Sequence, residues 1–485
     1  MALARASLVA LGLLVAWLSW QRSYDQVAWP DECIYLVGAR NVVEHGSLDT
    51  NFYLTHSLLA RGYPHRDVHV PGYVLALAPF VKAFGTTLFA ASALNVALFL
   101  ACLLLLHQVA LELLGDAVLA LLAATLFAVL PPFPGYLFVA YPELLVAFAF
   151  LAALLLLLRA KGLRGAFLAG AAFGLGALVR ETLLVTFPLA WARLPRRELW
   201  RGFVPGALAS LLLVVAPLSR DRAIHPNALY PSVFEEARRS SEPFGLLLDT
   251  LLKNAAQNLA DVAAARPFES AEDAVLLLFA GLAAAALLAL PRLPPGTRRL
   301  AAATLVSLFV LSLAVLFLYV VRARGGVWGG VRAYMCFAPL LLVFAVGALR
   351  GMRAPPRGAL ALAFAALLLL LDTRQLYRFL RYKSSDHEDQ GRHARYVADY
   401  VAREHPRRIL GRLFLYGFLH YPTEIIWSPP RDYPELRALE QKLMFDYVVI
   451  NDRSPLRLHL IRNPRYVRVN KDDRGAELLI FRRLE

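Results

Sequence analysis

The chain has 485 residues, 58% of them hydrophobic and 18% charged, with a net charge of +15 at pH 7 and a mean hydropathy of +0.52. Soluble domains hold about 45–50% apolar residues, and the excess here lies in long runs such as Ala149–Leu158 and Leu360–Leu371, which excludes an ordinary soluble globule. The basic charge excludes nucleic acid as a partner: the arginines sit in short loops between apolar runs, following the positive-inside bias, and form no contiguous groove with aromatic platforms.

A helix needs about 20 apolar residues to cross a hydrocarbon layer about 30 Å thick. The first candidate runs from Arg5 to Trp20. The bulky stretch Trp17–Arg22 offers no small-residue cleavage site, so it reads as an uncleaved first span with a cytoplasmic N-terminus. Further spans are expected near 87–111, 116–131, 142–158, 164–179, 181–192, 202–219, 271–290, 299–321, 332–349 and 357–373, making about eleven with the first at 4–20. The 181–192 segment is short and reads as half of a broken helix.

The apolar run Pro71–Phe84 is too short for a span and reads as interfacial. That choice puts the basic loops inside: Arg159, Lys161 and Arg164; Arg193, Arg196, Arg197 and Arg201; Arg292, Arg298 and Arg299; Arg350, Arg353 and Arg357. One inner loop, near 112–116, departs from the bias and carries Glu112 and Asp116 with no Lys or Arg. The outer face then receives loops 21–86, 132–142, 220–270 and 322–332. Residues 1–373 form the membrane domain and 374–485 a soluble extracytoplasmic tail. The Ala-, Leu- and Arg-rich, Lys-poor composition suggests a bacterium, hence the inner (plasma) membrane.

Composition changes sharply in the tail. Tyr396–Glu404 is amphipathic, Arg408–Tyr416 reads as a strand, and Pro434–Met444 as a helix entering a strand at Tyr447–Asn451. Arg465–Asn470 and Glu477–Arg482 flank a turn at Lys471–Gly475 and read as a hairpin. The tail is therefore a small α/β domain. Of three cysteines, Cys102 reads as a small core residue. Cys33 and Cys336 both face outward in this topology, and their spacing does not decide whether they pair. No metal-ligand spacing and no phosphate-binding loop of the common ATPase kind occurs.

Chemistry concentrates in the outer segments. Trp29-Pro30-Asp31-Glu32-Cys33-Ile34-Tyr35 places Pro30 at a helix start with two carboxylates in the first turn. Such acids complement a helix N-terminus, or one serves as a general base at the membrane surface. His65-Arg66-Asp67-Val68-His69-Val70-Pro71 has two histidines four apart, but Pro71 argues against a helical metal pair. Arg66 and His69 read as facing an anionic headgroup, or as a polar rim. Glu143 opens a helix after Pro142, either as helix-end decoration or as a second acid toward the same cavity.

Arg180-Glu181 interrupts an apolar stretch, where each ion costs about 2.5–3.5 kcal/mol on insertion scales unless satisfied. A salt bridge to Glu181 or Glu143 is one reading, headgroup binding the other. The loop containing Arg322, Arg324, four glycines and Arg332, with Tyr334 following, carries three arginines outside, against the topological bias. Arginine grips phosphate bidentately and glycine lets backbone approach a ligand. The loop reads as a phosphate site of a lipid-linked substrate, or as a contact for anionic lipid.

Taken in order, Asp31-Glu32 with Tyr35, Ala39 and Gly46, then Val70-Pro71-Gly72-Tyr73, then Glu143, then Arg332, Tyr334 and Pro339, resemble the GT-C membrane glycosyltransferases. The chain is most similar to bacterial relatives of the dolichyl-phosphate-mannose–protein mannosyltransferases and of the lipid A aminoarabinose transferases. The resemblance implies a polytopic α-helical membrane protein with a small outer α/β domain. It implies transfer of a sugar from a polyprenyl-phosphate-linked donor to a lipid, glycan or protein acceptor on the outer face, with inversion. Asp31 takes the place of the base. Glu32 and Glu143 orient sugar or acceptor, and Tyr35, Arg66, His69, Arg180, Arg322, Arg324, Arg332 and Tyr334 line the substrate. Beyond the donor it implies no cofactor, and many members of this branch need no metal. Two positions depart from the pattern: Val70 stands where relatives often place a Lys, and Glu143 where they often place an Asp. A transporter or flippase of lipid-linked sugar, or a membrane assembly partner, would share the arginine loop without needing a base. The inverted repeat typical of carriers is missing.

Overall fold

A computed structural model describes residues 2–20, 30–48, 52–54, 71–130, 133–220, 271–322, 335–350, 403–404, 406–411, 424–427, 433–442, 445–451, 454–470 and 478–484. The expected span at 357–373 and the amphipathic segment before Arg403 lie outside these residues. Contacts divide the chain into two compact units. The first is Met1–Ser23, Ala93–Phe138 and Pro142–Leu380; the second is Tyr24–Ser92, Val139–Tyr141 and Arg381–Glu485.

The first unit is helical. Helices occupy Ala2–Trp20, most of Leu88–Leu114, Ala117–Ala128, Glu143–Arg159, Gly162–Ala177, Phe187–Arg193, Val204–Arg220, Ala271–Ala289, Pro295–Arg322 and Ala338–Gly347. Among the described residues, Ala2–Ser19 and Leu88–Leu114 are each long and apolar enough to cross a bilayer. Several other helices carry apolar side chains outward, with Leu213 75% and Leu288 77% exposed. In water such surfaces would aggregate; a lipid environment removes the penalty.

Helices in lipid gain nothing by merely hiding apolar surface, so they associate through close approach of small residues. Gly170 and Gly174 on one helix face Gly202 and Gly206 leading into the other. A Cβ at Gly170 would strike the Phe203 carbonyl, and one at Gly206 the Phe167 carbonyl. Gly202 lies within a π-turn, Leu199–Phe203, that feeds the helix Val204–Arg220. Ala2–Trp20 lies against the Leu88–Leu114 helix through Gly12, where a Cβ would meet Leu100 and Leu103.

The acidic loop near 112–116 is accounted for. Glu112 accepts from Arg159 Nε at 2.9 Å, so a neighbouring loop supplies the cation. Asp116 caps the next helix, accepting from the amides of Val118 at 2.9 Å and Leu119 at 3.1 Å. Thr297 Oγ1 donates to the Leu113 carbonyl at 2.7 Å, satisfying an orphan carbonyl at a helix end.

The second unit holds a six-stranded mixed sheet. In chain order its strands are β1 Phe52–Leu54, β2 Arg408–Leu410, β3 Glu424–Trp427, β4 Tyr447–Asn451, β5 Tyr466–Arg468 and β6 Leu478–Arg483, and across the sheet the order is β1-β3-β2-β4-β6-β5. The first four neighbours pair parallel, and β6 pairs antiparallel with β4 and β5. Parallel neighbours require crossovers, and the helix Tyr433–Lys442 supplies one between β3 and β4. Strand β4 is buried from Tyr447 to Ile450, as a central strand covered on both faces must be. Leu410, Leu436, Leu439, Val448, Leu460 and Phe481 build the core between sheet and helices.

Strand β4, the β5–β6 hairpin and the helix at Tyr433–Lys442 match the sequence reading. The participation of Phe52–Leu54 and of Glu424–Trp427 does not appear in it. Cys33, Cys102 and Cys336 are all buried free thiols.

Gly206→Val is expected to lower the thermal unfolding midpoint in detergent by several degrees, at a cost of about 1–3 kcal/mol for forced overpacking. Gly281→Ala, where an added Cβ meets nothing within 4 Å, is expected to leave the midpoint unchanged or higher. Equal midpoints for the two variants would contradict the close approach of the glycine-bearing helices.

Candidate functional site

The segment carrying the paired carboxylates begins at Pro30, the first residue of the helix Pro30–His45. Proline is suited to that position because it has no N–H to leave unsatisfied. Asp31 follows as the second helical residue; only its backbone is described. Glu32 is fully buried, and its Oε1 accepts from the Ala140 amide at 3.2 Å. The helix ends at Gly46, whose φ of 63° is a left-handed conformation that glycine adopts without strain. There the amides of Gly46 and Ser47 donate to the carbonyls of Val42 and Asn41.

This helix packs against Gly72–Phe84 within the second unit. Tyr35 sits between two other tyrosines. Its ring lies edge-on to Tyr73 at 5.0 Å and to Tyr141 at 6.5 Å, distances at which the ring quadrupoles attract. All three rings are buried. Tyr35, read from sequence as lining the substrate, is therefore a packing residue in its described contacts. Tyr141 was not singled out in the sequence. The signal for it was its position directly before Pro142-Glu143.

In the first unit Glu143 begins the helix Glu143–Arg159 and is fully buried. Its Oε1 accepts from Arg180 Nη1 at 2.8 Å, with the Arg180 side chain 19% exposed. Of the two readings of Arg180, the salt bridge to Glu143 is the one present. Arg180 stands at the break after Gly162–Ala177, in extended backbone just before a tight 3₁₀ stretch at Glu181–Thr186. The short helix Phe187–Arg193 follows, so the expected broken helix is observed. Among the described residues the remaining guanidinium donors of Arg180 are uncommitted. A guanidinium so placed can bind an anionic or hydroxyl-rich group.

Arg66, His69, Arg324, Arg332 and Tyr334 lie outside the described residues, and Arg322 ends its helix with an undescribed side chain. Among the described residues no group of three or more His, Cys, Asp or Glu side chains converges on a metal-sized site.

The fold so assembled is the GT-C fold of membrane glycosyltransferases. Among solved structures it is similar to ArnT from Cupriavidus metallidurans bound to undecaprenyl phosphate. That match has a TM-score of 0.58 and 13% identity, and covers 98% of this chain and 97% of that one. It is also similar to the Archaeoglobus fulgidus oligosaccharyltransferase in its apo form, at a TM-score of 0.52 and 15% identity, covering 92% of this chain and 69% of that one. The same figures hold for the oligosaccharyltransferase AglB from that organism in complex with an inhibitory peptide and a dolichol-phosphate. No family model matches the sequence, and no curated protein does.

Removing either partner of a buried ion pair strands the other charge, at about 3–5 kcal/mol. Glu143→Ala and Arg180→Ala are each expected to destabilise the protein by about that much, and the double variant by clearly less than their sum. A double-mutant cycle on unfolding midpoints in detergent checks this. Strict additivity would show that the pair is not coupled.

Proposed function

We propose that the protein is an integral membrane glycosyltransferase. It takes a sugar from a polyprenyl-phosphate donor and transfers it to a lipid, glycan or protein acceptor on the outer face of the bacterial inner membrane. The observation that carries this reading is the end-to-end likeness of fold to ArnT, whose structure holds undecaprenyl phosphate. The ordered sequence motifs beginning at Asp31-Glu32 support it independently.

In the proposed reaction an acceptor hydroxyl attacks the anomeric carbon while Asp31 takes its proton. The bond from that carbon to the phosphate oxygen breaks, and its electron pair leaves with the polyprenyl phosphate. The anomeric centre inverts. Arginines of the 322–332 loop, with Arg180, offset the charge that gathers on the departing phosphate. Glu32 contributes by bracing the helix that presents Asp31. Its buried bond to Ala140 fixes the first turn, which carries Asp31 one residue earlier. Glu143 acts by holding Arg180 in place. In this reading membrane helices beyond the two long ones complete about eleven crossings.

Incubation of the purified protein with radiolabelled polyprenyl-phosphate sugars and membrane extract tests the proposal. Wild type is expected to release sugar from lipid into an acceptor. Asp31→Asn is expected to lose about 10²–10⁴-fold in rate, the usual contribution of a general base, with an unchanged unfolding midpoint. Transfer by Asp31→Asn at the wild-type rate would remove Asp31 from the mechanism. Lipid bound but never cleaved by wild type would replace the transferase with a carrier.

A further inference from the structure

The sheet unit contains a cavity of about 560 Å³ that the transfer reaction leaves unused. Ligand pockets commonly measure about 300–1,000 Å³. Its walls come from the helix Tyr433–Lys442, the helix Arg457–Arg462 with the turn after it, and the end of β6. Four arginines line it: Arg437, Arg462, Arg465 and Arg483. One glutamate, Glu440, is the only acid among the lining residues.

Arg437, Arg462 and Arg465 are exposed and Arg483 half-buried, so water screens their mutual repulsion; gathered on one cavity they give it a local surplus of positive charge. Among the described residues none of the four arginines is in an ion pair. Glu440 Oε1 accepts a hydrogen bond from the Tyr466 hydroxyl, and its one negative charge leaves an excess of positive charge against four guanidiniums. Burial first, and then that bond, push the Tyr466 phenol up from its ordinary range, so it stays a neutral donor. Arg483 is steadied by packing over the Phe445 ring, 5.4 Å from its centroid.

The rest of the wall is neutral and polar. Asn463 is fixed from two sides: its Oδ1 accepts from the Arg465 amide at 3.0 Å, and its Nδ2 lies 3.3 Å from His459 Nε2. Gln441 sits one helical turn beyond Arg437, on the same face. Amide and imidazole groups beside guanidiniums suit a ligand with both an anion and hydroxyls. An apolar ligand would find no matching surface among these residues.

We infer that this cavity binds a phosphate carried on a polyol. Two sources present that chemistry, a phosphorylated saccharide and the glycerol-phosphate head of an anionic lipid. None of the lining residues is among those assigned to transfer, and binding to the cavity requires no turnover.

The test uses the full-length protein in phosphatidylcholine nanodiscs at low salt, with calorimetric titration of glucose 1-phosphate, inorganic phosphate and glucose. Glucose 1-phosphate is expected to bind, inorganic phosphate more weakly, and glucose not at all. Arg437→Ala/Arg462→Ala is expected to weaken binding about tenfold or more, the effect of losing charge-assisted hydrogen bonds. Arg482→Ala, an exposed arginine outside the cavity walls, is expected to bind as wild type. A parallel titration in phosphatidylglycerol nanodiscs separates the sources. Undiminished binding of glucose 1-phosphate there assigns the site to a saccharide. Loss of wild-type binding in phosphatidylglycerol discs, with binding kept in phosphatidylcholine discs, assigns it to the lipid head. Failure of glucose 1-phosphate to bind in phosphatidylcholine discs, or equal affinity in the folded double variant, would overturn the inference.

Discussion

A carboxylate taken out of water must be paired or it will not stay ionised at acceptable cost. Glu143 meets this condition through Arg180, and the pair dictates what the backbone around it does. Arg180 reaches Glu143 from the break that follows the preceding helix. It stops at Ala177, and the amides of Val179 and Arg180 both turn back to the Gly176 carbonyl. A 3₁₀ stretch then carries the chain into Phe187–Arg193, with the Thr186 hydroxyl donating to the Leu183 carbonyl at 2.7 Å. Irregular backbone among membrane helices is tolerated only where its polar groups find partners. Here the partners come from the break itself.

The same economy of polar groups governs the basic loops. Arg193 donates to the Leu158 carbonyl at 2.7 Å and Arg292 to the Ala348 carbonyl at 2.9 Å. These cations serve two purposes at once. Their charge follows the topological bias, and their N–H groups close helix ends that would otherwise leave carbonyls open. The sheet unit works by other means. Its stability rests on an apolar core between helices and strands, and its polar side chains, such as Asp446 bridging the amides of Arg407 and Arg408, mainly fix strand register.

What the sequence disclosed followed from period and punctuation. Tyr447–Asn451 is legible because four consecutive buried positions leave no polar face to misread. Pro30 opens its helix because proline suits that end and fits poorly in a helix interior. Phe52–Leu54 was not legible. Three residues carry no alternation, and the strand exists only because Ile425, Ile426 and Trp427 offer it an edge. The pairing of Arg180 was half legible. Two acids were equally plausible from spacing, and only the fold chooses Glu143. Tyr35 illustrates the opposite limit, since an aromatic residue near a carboxylate looks the same in sequence whether it meets a ligand or two other tyrosines.

The parallel pairing of Phe52–Leu54 with Glu424–Trp427 joins segments separated by most of the polypeptide. A ribosome releases the N-terminal strand long before its partner exists. Contacts of such sequence separation are slow to form because the intervening chain must be organised first. The strand Phe52–Leu54 therefore waits unpaired until Glu424–Trp427 has been made and brought beside it. Folding far down the chain is thus registered near the Asp31 helix: the strand that follows that helix acquires its tether late.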